Sequence, residues 1–193
     1  RPVSGRCRVQ IRGDSQLYSA SDLVNFMGCA HATALDLRQL RQPVDFPPDN
    51  DQAKLLQEMG MEHERAYLDR LKEQGLSVIE IDGEAGIEVK AERTRAALRE
   101  GPDVIYQGAF LDGPWQGYSD FLLKVPGRSL LGDFHYEVAD TKLARSAKPK
   151  HILQMCVYCD ILAREQGAAP QQMHVVLGDG NIASVRVEGV IHY

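Results

Sequence analysis

The chain has little of what would mark a membrane, secreted or nucleic-acid-coating protein. No apolar run approaches the roughly 20 residues that cross a bilayer, and the start, RPVSGRCRVQIRGDS, lacks the apolar stretch of a secretory signal. Cysteine is scarce. Cys7, Cys29, Cys156 and Cys159 are four in 193 residues and do not make a secreted disulfide framework, so a reduced, cytoplasmic setting is expected. A basic excess is missing too. The net charge of −5 excludes a uniformly basic surface that coats nucleic acid, but leaves room for a local basic strip around an acidic site. There is no internal repeat and no low-complexity tract. The first residue is Arg rather than Met, so the chain is read as trimmed or as a piece of a longer protein. What remains is ordinary: 44% hydrophobic and 25% charged residues suit one globular domain.

Helical signals dominate the first part. SASDLVNFMGCAHATALDLRQL opens on Ser19 or Ser21 as an N-cap and continues with apolar residues at helical spacing. A Pro-rich break, PVDFPPDN, follows. A second helix is predicted over about 51–72, stopped by Gly75, then a short strand at LSVIEI and a third helix at VKAERTRAALREG. Strand signals then take over. VIYQGAFLDGPWQGYSDFLLKVPG reads as two strands joined at DGP, and YEVADTKLA as a third. An apolar helix over 149–166 is started by Pro149 and stopped by Gly167, and MHVVLGDGNIASVRVEGV closes the chain as a hairpin. The expectation is an α/β (α+β) core in a single domain. A mainly helical segment, 1–75, precedes a sheet core over 76–193.

One strand raises a question of cost. In YEVADTKLA side chains alternate, so Val138, Asp140 and Lys142 share one face, while Glu137, Ala139 and Thr141 share the other. Buried acids and lysines are expensive unless paired or metal-bound. If the strand carrying Asp120 pairs alongside, two carboxylates and an ammonium converge. That suits a divalent, oxygen-liking metal, with a lysine to orient water or offset phosphate charge. Two helices supply further candidates. His63, Glu64 and Tyr67 lie within about a turn, and the Tyr at 67 excludes the H-E-x-x-H zinc pattern. Gln154 and Tyr158 stand four apart and share a face.

Taken in order, YSASDLVNFMGCAHATALDL, GMEHERAYL, GYSDFLL, YEVADTK and QMCVY resemble the RecB-like branch of the PD-(D/E)XK nucleases. Members of that branch occur alone or fused to helicase or exonuclease modules, and the CRISPR adaptation exonucleases are more distant kin. The resemblance runs from about Tyr18 to the final hairpin. It implies an αβββαβ core and a Mg²⁺- or Mn²⁺-dependent hydrolase of DNA phosphodiester bonds, read as an exonuclease of repair, recombination or defence with endonuclease action left open. It further implies that His63, Asp120, Asp140 and the backbone carbonyl of Thr141 hold the metal. Asp120, Asp140 and Lys142 would do the chemistry, with Lys142 positioning or activating the attacking water. Gln154 and Tyr158 would support the site or touch DNA, and Glu64 would add an outer contact. A helicase or other domain in a longer chain is an expected partner; a membrane is not.

Three features sit around this reading. From Thr141 to Tyr158 the chain carries Lys142, Arg145, Lys148 and Lys150 and no acid, a track for a nucleic-acid backbone or simply a solvated loop. Trp115, Tyr106 and Tyr118 are read as core rather than as base-stacking groups. The cysteines depart from the pattern of relatives that hold an iron–sulfur cluster: Cys29 fits the first position, but Cys156 and Cys159 lie inside a helix and none follows. They read as a packed face, and neither that cluster nor zinc is expected. Two readings compete with an active DNA nuclease: a catalytically inactive nuclease fold that grips DNA or a helicase, and a carboxylate-metal hydrolase of some other substrate. RNA in place of DNA also stays open.

Overall fold

The computed structural model describes residues 9–12, 15–42 and 50–190. Cys7 and most of the Pro-rich break lie outside them. A short hairpin opens the described chain, β1 (Gln10–Arg12) and β2 (Ser15–Leu17). Helix α1 (Ala20–Gly28) starts at Ser19, whose hydroxyl accepts from the Asp22 amide while the Asp22 carboxylate accepts from the Ser19 amide. This reciprocal cap is worth about 1 kcal/mol. The sequence reads as one helix here, but the structure breaks it at Cys29, which is extended at φ −163° and begins α2 (Ala30–Arg41).

Helix α3 (Asp51–Glu73) begins on an Asn50 cap and ends before Gly75, as the stop signal predicts. The remaining elements are β3 (Val78–Glu80), α4 (Ile87–Glu100), β4 (Val104–Asp112), β5 (Trp115–Ser129), β6 (Gly132–Lys142), α5 (Pro149–Gln166), β7 (Gln172–Leu177) and β8 (Ile182–Arg186). They form a mixed α/β fold whose six-stranded sheet has the order β3-β4-β5-β6-β7-β8. β3–β4 and β6–β7 are parallel and the other neighbours antiparallel. The third strand is longer than the sequence suggests, because β5 and β6 continue past Pro126 through a register shift to a turn at Ser129 and Gly132.

Alternation divides the strand residues between two cores. Ile105, Leu122, Tyr136 and Val138 pack on one face against Leu98 of α4 and Met155 and Leu162 of α5. Val104, Phe121, Ala139 and Val176 pack on the other against Tyr67, Leu68 and Leu71 of α3. Each buried Leu or Phe contributes roughly 1.5–3 kcal/mol of apolar transfer, so these clusters fix which face each polar neighbour takes. Gln166 straps α5 to the sheet: fully buried, it accepts from the Tyr136 amide and donates to the Tyr136 carbonyl. Among the described residues no helix is long and apolar enough to cross a membrane.

Candidate active site

The site grows from the end of the β5–β6 pair. Phe121 pairs with Ala139, so one step on, Asp120 faces Asp140 across the strands. Both are buried, at 7% and 4% exposure. Asp120 Oδ2 accepts from the amide and the hydroxyl of Thr141, each at 3.0 Å. The N–H and C=O of a strand residue point to the same neighbour. The Thr141 carbonyl is therefore turned toward the Asp120 side as well. Asp140 Oδ2 forms an ion pair with Lys142 Nζ. Burial, reinforced by the charge of Asp120, raises the Asp140 pKa above the carboxylate range; the nearby Lys142 only partly opposes this. Two buried carboxylates thus stand side by side, with an ammonium against Asp140. Their oxygens match a hard divalent cation, and a divalent charge there removes the reason for Asp140 to bind a proton.

Helix α3 distributes its three candidates instead of aiming them at one point. His63 Nε2 lies 3.2 Å from the carbonyl of Val176, and Val176 is the register partner of Thr141. That places His63 one strand beyond the carboxylates. Glu64 is buried and accepts from the side-chain amide of Gln107 in β4. Tyr67 packs edge-on against Phe121, ring centroids 4.9 Å apart, as part of the core. Among the described residues, no three His, Cys, Asp or Glu side chains gather closely enough to form a metal cage by themselves.

On α5, Gln154 is half-buried, whereas Tyr158 is buried and stacks on Phe110 with centroids 5.8 Å apart. A Cβ at Gly117 would lie 2.7 Å from the Tyr158 hydroxyl, so β5 makes room for this ring only because position 117 has no side chain. Cys159 is fully buried in the same core and Cys156 packs at its margin. Arg145, Lys148 and Lys150 are exposed, and Lys142 is half-buried at the head of this strip. Tyr106 packs against Phe121 in the α3 core, Trp115 leans on Tyr18, and Lys90 sits over the Tyr118 ring. Glu137 faces away from Asp140. It accepts from the Gln172 amide and meets His174 Nε2 at 2.8 Å, and His174 Nδ1 in turn meets Ser184. Burial pushes the Glu137 pKa up, but the His174 and Gln172 hydrogen bonds outweigh it and hold the carboxylate below its usual range.

Sequence reasoning missed two residues here, Gln107 and His151. Nothing in a strand-like VIYQG marks the first. The second, in the opening turn of α5, is 6% exposed, and its Nδ1 accepts from the Lys148 amide. Burial, with the charges of Lys142, Lys150 and Lys148, lowers its pKa from 6.5 to about 4. The unfolded chain therefore takes up a proton first as pH falls, and stability is lost between about pH 6.5 and 4. In urea melts His151→Gln should remove up to about 3 kcal/mol of that acid sensitivity while differing little from wild type at pH 8. Parallel pH profiles for the two proteins would show that His151 is not the group responsible.

No family model matches the chain, and no curated protein matches it in sequence.

Proposed function

We propose that the chain is a divalent-metal-dependent nuclease of the RecB-like PD-(D/E)XK kind, acting on DNA phosphodiester bonds. The observation that supports this most is the opposed, buried Asp120–Asp140 pair with Lys142 in contact. The order α4-β4-β5-β6-α5-β7, with an antiparallel β4-β5-β6 meander and a parallel β7, agrees with the αβββαβ core that the motif resemblance implies. Asp120, Asp140 and the Thr141 carbonyl are the proposed holders of Mg²⁺ or Mn²⁺, with His63 approaching from α3. When bound, the metal supplies charge stabilisation for the phosphate and a lowered pKa for the attacking water.

The chain's own residues do the rest. Asp140 holds Lys142 by ion pairing, so the ammonium stays beside the carboxylates, where it orients water and offsets the charge that develops on a phosphate. Thr141, bonded to Asp120, fixes the aim of that carboxylate. Arg145, Lys148 and Lys150 give the DNA backbone a basic path leading from Lys142 along the start of α5. A cytoplasmic setting and a helicase partner in a longer chain belong to the same proposal.

The test is cleavage of labelled single- and double-stranded DNA with Mg²⁺, Mn²⁺ or EDTA, run on wild type, Asp120→Ala and Lys142→Ala. Metal-dependent cutting that falls by on the order of 10³-fold or more in both variants is expected, and the product ladder gives polarity. Cutting that persists in both variants rejects the proposed site. Tight, metal-independent DNA binding without cutting points to the inactive binding module instead.

A further inference from the structure

Gln107 holds a backbone conformation that side chains resist. Its φ is +57°, and among the described residues it is the only non-glycine at positive φ. It lies inside β4, not in a turn. A left-handed residue within a strand swings the following side chains to the other face, and β4 does this. Val104 and Tyr106 pack with Tyr67 and Leu68 of α3. Beyond Gln107, Phe110 stacks on Tyr158 of α5, and a Cβ at Gly108 would meet Leu122 and Thr94.

β5 changes phase at the same level, since Phe121 faces α3 while Gly117 faces Tyr158. The ladder pairs Tyr106↔Phe121 and Gly108↔Ser119 flank the break, leaving Gln107 opposite Asp120. The strained residue therefore stands at the step of the sheet that presents the first carboxylate.

Glycine would adopt this φ without strain. Glutamine adds an amide, and that amide donates to Glu64, the buried carboxylate next to His63 on α3. Strain kept at such a place points to a contact that glycine cannot make. We infer that Gln107 is a positioning residue: through Glu64 it ties α3, and with it His63, to the strand break that aims Asp120. The inference rests on the metal-site reading above. Gln107 acts by fixing how far the α3 side chains stand from the carboxylate pair.

The measurement is Mn²⁺ affinity of the full chain by titration calorimetry, with thermal melts, for wild type, Asp140→Ala, Gln107→Gly and the exchange Glu64→Gln with Gln107→Glu. Gln107→Gly should melt within about 2 °C of wild type or higher, because the backbone strain is relieved. Its Mn²⁺ affinity should nevertheless fall about 10- to 100-fold, the usual loss when an outer contact of a metal site goes. The exchange keeps one carboxylate and one amide facing each other and should return affinity to within about 3-fold of wild type.

Wild-type affinity in Gln107→Gly overturns the inference, provided Asp140→Ala has lost Mn²⁺; the metal-site reading then stands by itself. A collapse of the Gln107→Gly melt overturns it too, by making the residue structural. Failure of the exchange to restore affinity rejects the amide–carboxylate link. No Mn²⁺ binding by wild type, unchanged in Asp140→Ala, removes the metal-site reading and this inference with it.

Discussion

On the nuclease proposal, Asp140→Asn should lower cleavage by on the order of 10³-fold or more, and it should make the metal-free protein more stable at pH 8. The two effects share one cause. Asp140 is buried opposite Asp120, and burial together with that neighbouring charge raises its pKa above the value it has in the unfolded chain. An acid raised in this way is protonated in the fold at pH values where the unfolded chain has already released its proton. Wild-type stability therefore declines as pH rises from about 4 through the raised pKa. Asparagine carries no such penalty. Lys142, which loses this ion pair, still reaches water, its side chain being 24% exposed. The gain should be near zero at pH 4 and grow to on the order of 1–2 kcal/mol at pH 8, or about 2–8 °C in Tm for a chain of this size. Adding Mn²⁺ should reverse the order, because only wild type offers the second carboxylate. A variant less stable than wild type at pH 8 without metal would mean that the Lys142 pair outweighs burial. A variant that still cuts would remove Asp140 from the chemistry.

Much of the fold was legible because its punctuation is local. Helix α5 runs over the predicted residues: Pro149 presets the first turn and Gly167 takes the left-handed conformation at φ +65° that ends it. The alternation of YEVADTK put Asp140 and Lys142 on one face and Glu137 on the other, and the structure shows that division because both faces are buried and a one-residue slip would exchange their cores. The adjacency of Asp120 and Asp140 followed from one condition, that their strands pair.

What stayed hidden depends on contacts distant in sequence. The break at Cys29 falls where apolar spacing continues on both sides, so periodicity shows one helix where there are two. The scatter of His63, Glu64 and Tyr67 follows from geometry. Successive helix residues point about 100° apart, so His63 and Glu64 reach β7 and β4 respectively, and Tyr67 enters the core between. Tyr158 shares a face with Gln154 as spacing requires, yet the ring belongs to the core because Gly117, 41 positions earlier, leaves space for it. The phase change at Gln107 has no signature of its own: the QG step interrupts an apolar strand, but a glycine there marks a bulge or close approach without showing that the residue before it takes the left-handed conformation.

Gly178→Ala should damage activity more than stability, and the reason lies in the segment after Lys142. Gly178 follows β7, where Leu177 is the register partner of Lys142, and its amide donates to the Ala144 carbonyl at 3.1 Å. A Cβ there would sit 2.6 Å from the Leu143 carbonyl oxygen, 3.0 Å from its carbonyl carbon and 3.2 Å from its Cα. These are backbone atoms, so no rotamer change relieves the collision; the 143–144 segment itself must move. Overpacking of this kind costs about 1–3 kcal/mol, or about 2–12 °C in Tm. Moving Leu143 also moves the residues on either side, the Lys142 ammonium and the start of the basic strip at Arg145. A displacement of about 1 Å near the chemistry can cost on the order of 10²-fold in rate. Asp120 lies on β5, and Asp140 lies three residues before Leu143 inside the paired part of β6, so Mn²⁺ affinity should change much less than turnover. Measured well below the melting temperature, a 10²-fold fall in kcat with near-normal metal affinity would tie the close approach of Gly178 to the placement of Lys142. Unchanged turnover alongside a lowered Tm would mean that the loop absorbs the extra carbon and that the Asp140 ion pair alone positions the lysine.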